Sequence, residues 1–261
     1  VWQYAPGSGK LKRLFGGMEC QGMTGSRGKS VFCCSDGHYI IYTGGGRITK
    51  RKLPTSAAVS SAAFLPGGRM IFATLGDGLY ITGRTNNVER HLTAANSVLS
   101  SDRVSELEQD RFGDVWFCTN RPGVMHYRHA TDELQCLNLQ GEFSGDPSMW
   151  RNDMKIVEDS HGKLWLTPSG NGMAMYDRER NRLVPFLDKN RHYAWTAENT
   201  LIDLFVDRQD NVWFCGKYTG LQKATYSAMQ FNTLSHTAPT ESGHDIRGIF
   251  QDSKGRIWLG A

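Results

Sequence analysis

Asp207–Leu221 reads DRQDNVWFCGKYTGL, and this stretch decides the fold. It recurs as Asp110–Val124 (DRFGDVWFCTNRPGV) and Asp159–Met173 (DSHGKLWLTPSGNGM), and its first half returns as Asp252–Ala261 (DSKGRIWLGA). Successive spacings between Trp116, Trp165, Trp213 and Trp258 are 49, 48 and 45 residues. An Asp stands six residues before each Trp, and Gly123, Gly172 and Gly220 stand seven after it. Self-similarity at such a period marks an array of one repeated supersecondary unit.

Each unit opens with a short apolar run ending at the Asp, as in Leu204-Phe205-Val206-Asp207, and continues with a second such as Val212-Trp213-Phe214-Cys215. Runs of this length, rich in β-branched and aromatic residues and bounded by turn residues, read as strands. Between them the Asp can bond the backbone two residues on, while Gly113, Gly162 and Gly255 supply a positive φ. Asp210 takes that slot in one copy, because Asp tolerates the left-handed region. A third strand follows, as in Val124–Tyr127 or Met173–Tyr176, then a fourth, as in Leu134–Leu137 or Leu183–Phe186. Pro185 suits an outer edge strand, where its missing N–H is not needed. Four antiparallel strands in about 45 residues make one propeller blade, so the expected fold is an all-β propeller.

The Trp is read as the packing element. A lone four-stranded sheet cannot cover both faces and needs neighbours, and an indole buried between two sheets removes roughly 200 Å² from water. At about 25 cal/mol per Å² this is worth about 5 kcal/mol at most. Two positions on, every copy is small: Cys118, Thr167, Cys215, Gly260. The earlier chain repeats the pattern with Val31 and Ile71 in the Trp slot and Cys33 and Ala73 in the small one. Val1–Tyr4 and Leu11–Phe15 align with third and fourth strands. The expected organisation is a single propeller domain over 1–261. It has a half-blade at 1–15, blades near 18–53, 54–93, 98–139, 150–187 and 199–234, and a half-blade at 244–261. The chain thus starts and ends in mid-blade, with about six blades, or a share of a seven-bladed ring.

With 30 basic and 26 acidic residues, scattered rather than massed, the charge does not suggest nucleic-acid binding. No apolar run reaches membrane-span length, so membrane attachment is expected only through a segment outside this chain. No nucleotide loop or G-x-S-x-G elbow appears, and no cofactor is expected. Lys10–Arg13 and Lys50–Lys52 fall on outer strands, where charge blocks edge-to-edge pairing. His126 and His129 read as surface residues on opposite faces, and no metal site is expected. Glu106 and Glu108 read as solvated rather than as an acid–base pair.

The motif carried by Asp110/Gly113/Trp116/Thr119/Gly123/Tyr127, Asp159/Gly162/Trp165/Gly172/Tyr176, Asp207/Trp213/Gly220/Leu221 and Asp252/Gly255/Trp258 resembles the two-component regulator propeller repeat. The resemblance spans essentially the whole chain, weakly before residue 98. It implies the extracytoplasmic, periplasmic sensor region of a Bacteroidetes-type hybrid two-component system. Such receptors sense oligosaccharides and continue into a β-sandwich, a membrane helix and a histidine kinase, and homodimerise. WD40 and Kelch patterns fit less well, lacking the Trp-Asp dipeptide and an in-register double glycine respectively.

Ligand contacts are expected from the loops between second and third strands and from the blade-to-blade linkers. Arg121 and Tyr218 lie in the former, and Trp150, Arg151, His192, Tyr193 and Trp195 in linkers longer than a turn requires. Aromatic faces beside fixed donors are what sugar rings need. In the alternative, Trp150 and Trp195 simply pack between blades. Six cysteines at 20, 33, 34, 118, 136 and 215 are expected to be free thiols. The reading is a non-catalytic ligand-sensing domain. Alternatives are a propeller enzyme acting on polysaccharide, for which His192, Tyr193 and Arg191 are the candidates, and a protein-binding scaffold.

Overall fold

A computed structural model describes residues 1–26, 28–121, 123–137, 155–167, 173–185, 201–216, 220–224, 231–233 and 248–260. Apart from one 3-10 turn at Pro66–Gly68, every regular element among them is a strand. The strands fall into two compact units, Val1–Asn96 with Asp102–Leu107, and Ser97–Ser101 with Glu108–Ala261.

In the first unit, β1 (Trp2–Ala5) and β2 (Lys10–Arg13) form a hairpin. β3 (Cys20–Ser26), β4 (Lys29–Cys34), β5 (His38–Thr43) and β6 (Ile48–Lys52) make a four-stranded sheet in sequence order. β7 (Val59–Leu65), β8 (Arg69–Thr74), β9 (Leu79–Thr82) and β10 (Val88–Leu92) make a second. The second unit holds three such sheets. They are β11 (Glu108–Gln109), β12 (Val115–Cys118), β13 (Val124–Arg128) and β14 (Glu133–Leu137); then β15 (Lys155–Glu158), β16 (Leu164–Thr167), β17 (Ala174–Asp177) and β18 (Arg182–Pro185); then β19 (Leu201–Val206), β20 (Val212–Gly216), β21 (Gly220–Ala224) and β22 (Phe231–Thr233). A two-stranded piece, β23 (Gly248–Gln251) and β24 (Ile257–Gly260), follows. All pairings within sheets are antiparallel, with sequential neighbours adjacent. Pro185 ends β18, an outer strand, as its missing donor requires. The basic strands β2 and β6 are likewise outer and largely exposed.

Alternation along the second strands decides which face meets which neighbour. Trp116 and Cys118 pack with Leu164 and Leu166 of the following sheet, while Trp165, between those two leucines, turns to Val212 and Phe214 of the next. Trp213 and Cys215 then meet Ile249 and Ile257. In the first unit Val31 and Cys33 pack against Met70 and Phe72 in the same manner. Trp116, Trp165 and Trp213 are 0%, 4% and 8% exposed, as wedges should be, but Trp258 is 54% exposed. The expectation of four buried indoles is corrected there: among the described residues no further sheet covers Trp258.

A recurrent irregularity faces the small slot. The first strands shift register between Cys20 and Gly22, Val59 and Ser61, and Leu201 and Asp203, setting Gly22, Ser61 and Asp203 opposite Cys33, Ala73 and Cys215. Two of these side chains take up a backbone N–H further along the chain. The Ser61 hydroxyl accepts the Leu107 N–H at 3.2 Å, and the Asp203 carboxylate accepts the Ile249 N–H at 3.2 Å. At Gly22 a Cβ would come within 2.3 Å of the Ser60 carbonyl, so only glycine permits that backbone approach. Such bulges re-aim a strand's side chains, and at Asp203 the result is a latch onto β23 of the following sheet.

Candidate functional site

The two ends of each sheet have different chemistry. The end carrying the first turn is organised by the repeated Asp. Oδ1 of Asp207 accepts the N–H groups of Gln209 and Asn211, both at 2.9 Å, and Oδ2 accepts the indole N–H of Trp213 at 2.8 Å. Asp110 does the same for Phe112, Asp114 and Trp116, Asp159 for His161, Lys163 and Trp165, and Asp252 for Lys254, Arg256 and Trp258. One carboxylate therefore closes the turn and holds the wedge. The turn role was legible in the sequence; the indole bond was not anticipated. Its signal was present: the copies with Val31 and Ile71 in place of Trp have Gly25 and Leu65 six residues earlier, so Asp and Trp occur together.

A second clasp joins the third strand to the turn after it. The Tyr176 hydroxyl donates to Asn181 at 2.6 Å, and Tyr127 donates to Asp132. Both acceptors sit at positive φ, a conformation that short polar side chains tolerate. Asn181 and Gln135 of the preceding sheet exchange amide hydrogen bonds at 3.0 and 3.1 Å.

Charged groups stitch this end from sheet to sheet. Arg178 donates to Asp110 at 3.2 Å and to Glu158 at 3.1 Å, and its guanidinium lies 4.5 Å from the Phe112 ring centroid. Arg111 pairs with Glu158, and the Ser160 N–H donates to Asp210 at 2.9 Å. Burial pushes the Asp207 carboxyl up, but the hydrogen bonds from Trp213, Asn211 and Gln209 outweigh it and hold it below the usual carboxylate range. At Asp252 the Trp258 hydrogen bond is the leading cause of a lowered value. Donors and acceptors here are consumed by one another, so this end serves cohesion.

His126 and His129 correct their sequence reading. His129 lies past the end of β13, where strand alternation no longer applies, and both imidazoles converge on Asp114 at 3.0 Å. His126 is buried and stacks on Trp116, ring centroids 3.7 Å apart. Burial lowers its pKa, and the Asp114 hydrogen bond only partly offsets this. Glu106 and Glu108 are half-buried rather than solvated, and β11 is only Glu108–Gln109. Among the described residues no three His, Cys, Asp or Glu converge as a metal set. Burial pushes the Cys118 and Cys215 thiols up to about 12, which removes them as nucleophiles.

At the opposite end second strands pass into third, and of the expected ligand loops the described part is residues 119–121. Thr119 is buried and shares a 2.7 Å hydrogen bond with the Ser100 hydroxyl, and its Oγ1 accepts the Arg121 N–H at 3.1 Å. This anchors the loop from within and leaves Arg121 exposed. Tyr218 and the linker residues Trp150, Arg151, His192, Tyr193 and Trp195 lie outside the described residues.

Residues 240–261 match the family model described as "Two component regulator propeller". No curated protein sequence matches the chain. Among solved structures it is similar to the extracellular domains of two B. thetaiotaomicron proteins described as hybrid two component systems. Each is 14% identical, with TM-scores of 0.64 and 0.62, over 92% and 93% of this chain and 32% of each of theirs. The chain thus spans about a third of those structures. It is also similar to virginiamycin B lyase from Staphylococcus aureus, at 16% identity and TM-score 0.63, over 93% of this chain and 77% of that one. The fold is an all-β propeller of four-stranded antiparallel blades, and residues 240–261 are similar to the two-component regulator propeller repeat.

Proposed function

We propose that this chain, built from two-component regulator propeller repeats, is the ligand-sensing part of the extracytoplasmic region of a hybrid two-component receptor, and that it is not itself a catalyst. The observation that supports the reading is the repeat itself, with its Asp–Trp clasp, together with the likeness to two extracellular domains of such systems. Among the described residues the clasp end is occupied by structural hydrogen bonds, so the reading assigns the ligand to Arg121 and, outside the described residues, to Trp150, Arg151, His192, Tyr193, Trp195 and Tyr218. An oligosaccharide suits them, because stacked C–H faces and charge-assisted hydrogen bonds are what aromatic and guanidinium groups supply. The reading takes 1–261 as one periplasmic domain and its full-length parent as a homodimeric histidine kinase. Ligand can signal only by binding one dimer arrangement better than another.

A thermal-shift screen against a glycan-fragment library tests this. A hit whose shift is lost in Arg121→Ala and Trp195→Ala supports it, and a hit untouched by every substitution in the set defeats the site. The likeness to virginiamycin B lyase supports a second reading, a propeller lyase. Incubation with a cyclic streptogramin or with polysaccharides, followed by mass spectrometry for cleavage products, separates the two.

A further inference from the structure

β3 and β4 set Cys20 and Cys34 directly opposite each other as register partners. The Ser35 N–H donates to the Glu19 carbonyl at 3.2 Å, the backbone bond that flanks a non-hydrogen-bonded antiparallel pair. Such pairs bring their Cα atoms to about 4.5 Å, within the range of about 4.4–6.8 Å that disulfides span. Each thiol donates to a carbonyl of its own strand, Cys20 to Gly22 at 3.5 Å and Cys34 to Phe32 at 3.6 Å. Cys20 is exposed and Cys34 buried. Cys33 does not compete: strand alternation turns it to the other face, where it packs with Tyr39, Phe72 and Tyr80. Burial, then the neighbouring Cys20, push the Cys34 thiol up to about 11, so Cys34 meets solution reagents second.

We propose that Cys20 and Cys34 form a redox-modification site, at which a small-molecule disulfide oxidises the pair to a cross-strand disulfide tying the start of β3 to the end of β4. The Cys20 thiolate attacks one sulfur of the oxidant, forming a mixed disulfide and releasing one small thiolate. The Cys34 sulfur then attacks the Cys20 sulfur. The mixed bond breaks, and the second small thiolate leaves with the proton that Cys34 gives up. Two protein thiols lose two electrons and one small disulfide becomes two thiols, which is ordinary thiol–disulfide exchange. The register shift beside Cys20 lets the strand start adjust, since a bulge is where a ladder yields locally. The exposed Cys20 sulfur keeps the bond open to reduction. This site rests on the register of β3 and β4 alone and not on the proposed ligand site.

Oxidised glutathione is the probe. The reduced chain is incubated with it, quenched in acid, denatured, labelled with N-ethylmaleimide and weighed intact. Untreated protein should take six labels and treated protein four, without a retained glutathione adduct, and dithiothreitol should restore six. Cys20→Ser should keep five labels after treatment, Cys34→Ser should stop at the mixed disulfide with four labels and one retained glutathione, and Cys33→Ala should fall from five to three. Six labels on the treated parent, a persistent glutathione adduct on the parent, or loss of two labels from Cys20→Ser would overturn the proposal. Cys20 is exposed, so its variant and Cys33→Ala decide the matter even if Cys34→Ser does not fold.

Discussion

Replacing Asp207 by Ala removes the acceptor for the Trp213 indole N–H and for two turn N–H groups, at 2.8 to 2.9 Å, and for the Asn211 amide at 2.8 Å. Trp213 is 8% exposed, so its indole donor has little water to turn to. An orphaned buried donor costs about 1–3 kcal/mol, and the half-buried turn bonds, partly replaced by water, add about 1 kcal/mol in total. The expected loss is therefore about 2–4 kcal/mol. Asp207→Asn keeps one acceptor oxygen but sets an N–H₂ against another donor, and should lose about 1–3 kcal/mol. Trp213→Phe supplies the partner for a double-mutant cycle, and a coupling of about 1–2 kcal/mol is expected for groups in direct contact. Urea unfolding with constant m-value is the assay. An Ala variant within about 0.5 kcal/mol of the parent, the range of ordinary surface substitutions, or strictly additive single and double variants, would refute the clasp. Asp252→Ala is the internal control: Trp258 is 54% exposed, water can take its indole N–H, and the loss should be clearly smaller. The pH sign follows from the lowered Asp207 value. Its contribution is complete above the unfolded carboxyl pKa of about 3.9 and is lost as pH falls through the lower folded value.

Three further outcomes are expected. Trp116→Ala, at a fully buried wedge packed on Leu164, Leu166 and Tyr176, should cost about 3–5 kcal/mol in the same urea assay. Buried neutral His126 faces Asp114, Gln135, Arg128 and the Trp116 ring. Its lowered pKa makes stability decline as pH falls below about 6.5, because the unfolded imidazole binds a proton that the folded one resists. Melting curves of His126→Gln between those of neutral and mildly acidic buffer should be flatter than the parent's. Gly78→Ala places a Cβ 2.1 Å from the Leu92 carbonyl at a φ of +66°, whereas Gly67, at +77°, has open space. The first should cost more than about 1 kcal/mol and clearly exceed the second in thermal melts.

Much of the fold was legible because its determinants are local. Turn glycines, the Asp of each first turn and the period-two strands lie within a few residues of one another, so a repeat of them writes the blade pattern directly. Val31 and Ile71 were legible as Trp equivalents because Gly28–Cys33 matches Gly68–Ala73 at an offset of 40 and an Asp-Gly pair follows each, and both are fully buried. The exposure of Trp258 was not legible, since it depends on whether a sheet covers that face. The placing of His126 on a strand and His129 on a turn was legible, but the stacking of His126 on Trp116 and the convergence of both imidazoles on Asp114 were not, because spacing does not show what a side chain meets. Of the ligand residues only Arg121 falls among the described residues, exposed on a loop anchored by Thr119, and its role stays a proposal.

By itself the sequence determined the unit: four short antiparallel strands, a carboxylate-closed turn and an indole at a fixed offset, all set by backbone preferences and alternation over neighbouring residues. Only the tertiary structure decided what those residues meet across sheets. It joins Arg178 to Asp110 and Asp203 to the Ile249 N–H, and within one sheet it sets the free thiols of Cys20 and Cys34 opposite each other. Such pairings depend on strand register and on the stacking of one blade against the next, and neither is encoded in any single stretch.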